Sequence, residues 1–151
     1  AILATSQTQA RSLWKIREAT GEFPVRLAPL NFDISLPIGQ IGDFADLCRQ
    51  RLAARWPGHH SVYFGHIGDS NLHLTVDCNS LPQPAPVYEI EELVYTAVGE
   101  LGGAVSAEHG IGLLKREFLH HSVSDEALEA MAGLKRSFDP KGILNPGKIF
   151  G

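Results

Sequence analysis

Two stretches of this chain hold side chains whose types and spacing suit metal-assisted proton chemistry. The first is Gly65-His66-Ile67-Gly68-Asp69-Ser70-Asn71-Leu72-His73-Leu74. Val62-Tyr63-Phe64 leads in, Leu72-His73-Leu74-Thr75-Val76 alternates on the way out, and Gly, Asp, Ser and Asn lie between, so the stretch reads as a hairpin. With Asp69-Ser70 at the tip, or with a longer tip from Gly68 to Asn71, Gly68 faces Asn71, Ile67 faces Leu72 and His66 faces His73. Directly opposed side chains share one face of a sheet with Cβ atoms roughly 5 Å apart. Two imidazoles at that separation reach one metal ion. A lone histidine beside a turn is more often satisfied by backbone or water. Two in register, with another acidic/His pair downstream, favour a ligand pair.

The second stretch is Ala107-Glu108-His109-Gly110-Ile111-Gly112. His66, His73 and Glu108 make a His₂-carboxylate set, the ligand type of open catalytic zinc sites and also acceptable to manganese or iron. A divalent metal with a free position polarises a hydroxyl or carbonyl oxygen. His109 then has the place of a general base, with a fourth-ligand role as its alternative. Arg17, beside Glu18, either makes a surface ion pair or clamps a carboxylate through two parallel hydrogen bonds. There is no helical HExxH, no GxGxxG and no P-loop, so the chain by itself has no recognisable redox cofactor site.

The elements that must position these groups follow from hydrophobic period. Residues 7–19 read as a helix, with Ala10, Leu13, Trp14 and Arg17 at helical spacing and Gly21 as its stop. Pro24 to Pro29 is an irregular connection, and Leu30 to Pro37 alternates as a strand. A helix over 41–55 is closed by Trp56-Pro57-Gly58, and the hairpin strands cover 60–67 and 71–78, with His59 and His60 as solvated entry residues. A Pro-rich loop leads to a helix over 88–101, followed by a short strand at Ala104-Val105-Ser106. Leaving out the first helix, this order is β-α-β-β-α-β: an α+β fold, the ferredoxin-like split βαβ sandwich, with helices on one face of an antiparallel sheet. The other face is left for a ligand or another domain. Helices over 112–120 and 124–137 follow, the second capped by Ser124 with an apolar stripe of Leu128, Met131 and Leu134. The Pro- and Gly-dense tail from Asp139 to Phe150 is expected to be ordered by docking.

Composition narrows the class. At 151 residues, 44% hydrophobic and 20% charged, the chain is one ordinary globular domain. A net charge of −4 without a basic tract argues against a nucleic-acid partner. No apolar run suffices for a transmembrane segment, and Ala1-Ile2-Leu3-Ala4 is no signal peptide. Cys48 and Cys78 lack CxxC spacing and read as reduced, buried thiols of a cytoplasmic protein. The missing initiator Met suggests a piece of a longer protein.

Several stretches resemble the C-terminal domain of the FAD-linked oxidase superfamily that includes vanillyl-alcohol oxidase, and within it the D-2-hydroxyacid dehydrogenases: D-lactate and D-2-hydroxyglutarate dehydrogenases and the glycolate oxidase flavin subunit. They are Leu13 to Glu18, Asp33 to Pro37, Gly65 to Leu74, Ser106 to Lys115 and Asp139 to Phe150, in family order, with "GHIGDSNLHL" and "SAEHGIGLLKREFL" the most specific. The resemblance implies that His66, His73 and Glu108 hold a divalent metal, zinc or manganese, and that His109 is the base. It puts Arg17 on a substrate carboxylate and Asn145 where the tail approaches flavin and substrate. It also implies that residues 1–151 are the substrate- and metal-binding C-terminal part of the enzyme, that FAD sits on an N-terminal domain absent from this chain, and that the fragment alone is inactive. The electron acceptor could make the enzyme peripheral to a membrane. The bared face would favour self-association into a homo-oligomer.

Two departures stand out. Ser70 replaces the usual turn Gly. Asn31 replaces a Lys common in relatives, which favours a monocarboxylate such as lactate or glycolate over a dicarboxylate such as 2-hydroxyglutarate. The rivals are a metal-dependent hydrolase working without flavin and a non-catalytic ligand-binding module with a structural metal.

Overall fold

The computed structural model describes residues 2–66 and 68–150, with the backbone alone at 24 and 25. Its centre is an antiparallel sheet of β1 (Pro29–Ser35), β2 (Ser61–His66) and β3 (Asn71–Asp77) in the order β1-β3-β2. Alternation along each strand sends Phe32, Ile34, Leu72, Leu74 and Val76 to one face, where they are buried. Helices α3 (Ile41–Arg55) and α4 (Val87–Glu100) cover that face with Phe44, Cys48 and Leu52 and with Ile90, Val94 and Val98. Each such buried side chain contributes about 1.5–3 kcal/mol by leaving water. The mixed α+β class and the antiparallel sheet agree with the expectation.

The opposite face carries three cross-strand rows: Asn31–Thr75–Val62, Asp33–His73–Phe64 and Ser35–Asn71–His66. Over it lie the C-terminal end of α1 (Gln7–Glu18), a 3-10 turn at Ala19–Glu22 and the short α2 (Phe23–Arg26). The connection from Pro24 to Pro29 is therefore partly helical. Phe23 reaches Phe64 edge-on at 5.8 Å between ring centroids, which fixes this flap on β2.

Three sequence expectations are corrected. His66 pairs with Asn71 and His73 with Phe64, so the hairpin register differs by two residues from one that opposes the imidazoles. A two-residue slip preserves the face of every side chain, so both histidines still point to the open side, as diagonal neighbours. Ile67, expected opposite Leu72, lies outside the described residues. The close approach of β2 to β3 needs glycine at position 65, where a Cβ would collide with the Asn71 carbonyl oxygen.

The fourth strand shrinks to one bridge, Ala104 to Ser35, on the outer edge of β1. Beyond Ala107, whose N–H donates to the Asp33 carbonyl at 3.3 Å, the next two amides turn to the Asp33 side chain and the ladder stops. The helix expected over 112–120 is a turn followed by a 3-10 helix at Arg116–His121. Gly112, at φ 56, cannot open an α-helix, and the tighter segment drives Phe118 and Leu119 into the core.

The last helix, α5 (Asp125–Phe138), begins as expected, with Ser124 Oγ accepting from the Ala127 amide at 3.3 Å. Of its stripe only Leu128 meets the core, while Met131 and Leu134 stay exposed. The tail docks through polar contacts. The Ile149 amide donates to the Gly112 carbonyl at 2.9 Å, Arg116 to the Gly147 carbonyl at 3.1 Å and Lys135 to the Leu144 carbonyl at 2.7 Å.

Candidate metal and substrate site

The open face brings His66, His73, Glu108, His109 and Arg17 together. The two imidazoles meet edge-on at 5.7 Å between centroids, and Glu108 lies between them. Its Oε1 is 3.8 Å from His66 Nδ1, and its Oε2 is 3.9 Å from His73 Nε2. One potential ligand atom each from Asp33, His73 and Glu108 falls within 4.8 Å of the others. That grouping, one imidazole nitrogen and two carboxylate oxygens, suits a divalent cation, and His66 stands beside it rather than within it.

His73 is held neutral. Burial lowers its pKa below the ordinary histidine value, against the pull of Asp33 and Glu108. Its ring stacks on Phe64 at 5.1 Å, which sets its plane. A neutral, oriented imidazole keeps a lone pair for a metal. His66 is braced on both sides: Nδ1 lies 3.0 Å from Asp69 Oδ2, and Nε2 lies 3.4 Å from Arg17. With its proton on Nδ1, the ring donates to Asp69 while Nε2 accepts from Arg17, so binding a metal requires His66 to give up one of these contacts.

Asp33 holds the segment that brings Glu108 and His109 to this face. Its Oδ2 accepts from the Glu108 amide at 2.9 Å and the His109 amide at 2.8 Å, and lies 3.6 Å from His109 Nδ1. Lys115 Nζ supports the same strand, donating to the Asp33 carbonyl at 3.0 Å and to Ser106 Oγ at 3.1 Å. Burial raises the Asp33 pKa, but the two amides, Lys115 and His109 outweigh it and hold the carboxyl below its ordinary value. Gly110 completes the turn at φ 78, a conformation that glycine adopts freely.

His109 stands between two cavities. One, of about 350 Å³, is lined by Arg17, Phe23, Asn31, Phe64, His73 and Thr75. The other, of about 470 Å³, is lined by Asn31, Ile111, Leu113, Leu114, Lys115 and Lys148. Asn31 Oδ1 accepts from Thr75 Oγ at 2.8 Å, so the floor between them is a neutral polar pair. Arg17 makes no ion pair with Glu18 among the described residues; its guanidinium sits 5.9 Å from the Phe64 ring centroid, beside the first cavity. Asn145 stands apart: it is exposed on the tail, at φ 46, and lines neither cavity. Reading the residues missed Asp33, Ser106 and Lys115. The available signal was the single charged residue of an alternating strand, flanked on its own face by the neutral Asn31 and Ser35.

Both cysteines are free, and burial pushes the Cys48 thiol up to about 12, which keeps it inert. No described helix is long and apolar enough to cross a membrane.

Residues 1–149 match the family described as FAD linked oxidases, C-terminal domain. A D-2-hydroxyglutarate dehydrogenase of Stutzerimonas stutzeri (strain A1501) is 35% identical over 99% of this chain and 33% of its own length. That of Xanthomonas citri pv. viticola is 37% identical over 99% of this chain and 32% of its own length. The mitochondrial one of Rattus norvegicus is 40% identical over 97% of this chain and 27% of its own length. The chain thus spans about a quarter to a third of the curated relatives it matches. With its sheet, its open face and a family match along nearly its whole length, the chain belongs to the C-terminal domain family of the FAD-linked oxidases.

Proposed function

We propose that this chain is the substrate- and metal-binding part of an FAD-dependent dehydrogenase that oxidises a D-2-hydroxyacid to the 2-oxoacid, and that its N-terminal FAD domain lies outside residues 1–151. The observation that carries this reading is Glu108 between His66 and His73, with His73, His109 and Arg17 lining one cavity. The relatives' names supply the substrate class.

The donor set fits a divalent metal. His66, His73 and Glu108 would hold it, and when bound it would polarise the substrate's C2 hydroxyl and lower its pKa. The chain's side of the flavin contact is the second cavity, whose exposed Leu113 and Leu114 beside His109 suit an aromatic ring system. FAD supplies the redox step as hydride acceptor. Arg17 binds the substrate carboxylate, and Phe64 beneath it limits its swing. His109 takes the hydroxyl proton, held in place by the hydrogen bond that its backbone N–H donates to Asp33 Oδ2. Phe23 and Phe64 exclude water from one wall. Asn145 meets flavin and substrate once the tail is covered by the FAD domain. The free thiols support a cytoplasmic setting.

A shorter monocarboxylate such as lactate or glycolate is the second reading of the substrate. It rests on the neutral Asn31–Thr75 pair, which offers no cation to a second carboxylate. The test of the main reading is His109→Gln in the intact flavoprotein. The reading expects kcat to fall by about 10²–10⁴-fold with unchanged flavin content. Turnover close to that of the unaltered enzyme would exclude His109 as the base.

A further inference from the structure

We propose that Lys148, with the Asn31 carboxamide on the same cavity, binds a second carboxylate of the substrate, so that the acid is a dicarboxylic D-2-hydroxyacid held by Arg17 at one end and Lys148 at the other. The proposal rests on the 2-hydroxyacid reading above and adds to it a specificity-determining residue.

The charge around the two cavities is one-sided. Among the described residues no Asp or Glu lines either of them, although the chain carries a net charge of −4. Away from them, arginines meet carboxylates: Arg51 reaches Glu100 at 2.7 Å, Arg49 reaches Asp46 at 2.8 Å, and Arg55 pairs with Glu89. Arg17 lines the first cavity and Lys148 the second, and neither makes an ion pair among the described residues. Lys115 also lines the second cavity, but its ammonium is committed to the Asp33 carbonyl and to Ser106 Oγ. Two unmatched cations on adjoining cavities, with His109 lining both, complement a small ligand that is anionic at each end.

The tail is built to hold Lys148 in this place. The Gly147 carbonyl on one side accepts from Arg116 at 3.1 Å, and on the other the Ile149 amide donates to the Gly112 carbonyl at 2.9 Å. Ile149 also packs against the core. It does so at φ 64, in the left-handed region that a β-branched residue enters only under strain. Such strain persists where the surroundings impose it, and it concentrates at ligand sites.

Asn31 lines both cavities, and Thr75 orients it. Its Oδ1 accepts from Thr75 Oγ at 2.8 Å, so the two N–H groups of Nδ2 are left as donors. A carboxylate has oxygens enough to accept from both Nδ2 and an ammonium. The strand floor brings no charge of its own, and the tail supplies it. Leu113 and Leu114, exposed on the same cavity, remain for the flavin ring.

The test uses the intact flavoprotein with Lys148→Met and Lys148→Arg, assayed with D-2-hydroxyglutarate and D-lactate, with flavin content read from absorbance. The proposal expects Lys148→Met to lower the kcat/KM ratio of the dicarboxylate to the monocarboxylate by at least about tenfold, with the loss in the KM of the dicarboxylate. Lys148→Arg should recover most of that ratio. An unchanged ratio, or equal losses for the two substrates, would overturn the proposal. Loss of flavin from both folded variants would assign Lys148 to the cofactor and overturn it as well. If Lys148→Met does not fold, Asn31→Asp decides, because an anion set against the second carboxylate must lower the same ratio at least about tenfold. An unaltered enzyme that oxidises D-lactate and leaves D-2-hydroxyglutarate untouched would overturn this proposal alone. One that oxidises no 2-hydroxyacid would overturn the reading it rests on.

Discussion

The Glu108 amide donates to Asp33 Oδ2 at 2.9 Å across 75 residues of sequence. Through that bond, and the parallel one from His109, a buried carboxylate on the open face of β1 sets where a ligand carboxylate and a base stand. The strand that ought to have finished the sheet is given up to make this contact, and the site takes its place.

Acid should release this clamp. The folded pKa of Asp33 is depressed, because the amides, Lys115 and His109 outweigh the burial that raises it. A depressed carboxyl adds stability that is fully present above the unfolded value of 3.8 and is lost as pH falls through the folded pKa. The unaltered chain should therefore lose stability below pH 3.8 more steeply than Asp33→Asn, measured by urea unfolding across that range. Parallel profiles would contradict the assignment.

Ser70 holds φ 64 at the hairpin tip, where glycine is free of strain. Ser70→Gly should raise stability by about 0.5–1 kcal/mol, the relieved strain less the extra chain entropy of glycine. It should leave His66 and His73 in place. Chemical denaturation measures the gain, and a loss of stability would mean that the Ser70 side chain has a role the turn geometry does not show.

Asn31 sets the charge of the cavity floor. Placing a cation there should favour a substrate with a second carboxylate. In the intact flavoprotein, Asn31→Lys should raise the kcat/KM ratio of D-2-hydroxyglutarate to D-lactate by about tenfold, the size of one charge-assisted hydrogen bond. An unchanged ratio would place the second-carboxylate contact elsewhere.

Much of this architecture is legible in the residues. The helix over 41–55 appears with those bounds, because its apolar spacing and its Trp-Pro-Gly stop are both local. The shared face of His66 and His73 follows from their spacing whatever the exact register, since any even slip preserves it. The register itself was not legible: it depends on the close approach at Gly65 and on Ser70 tolerating a positive φ. The shrunken fourth strand and the 3-10 segment at Arg116–His121 were hidden for a related cause. Both depend on Asp33 and on positive-φ glycines, contacts between residues far apart in sequence or conformations that propensity does not encode. The stripes of α1 and α5 are real but largely uncovered, with Trp14 64% and Leu134 61% exposed, so periodicity located an apolar face without showing what it packs against.

The most direct test of the account is the metal content of the purified chain beside its His73→Ala variant, measured by plasma mass spectrometry after loading with manganese or zinc and desalting. The account predicts about one equivalent of divalent metal in the unaltered chain and close to none in the variant. Equal content in the two, or none in either, would contradict a metal centre on the open face.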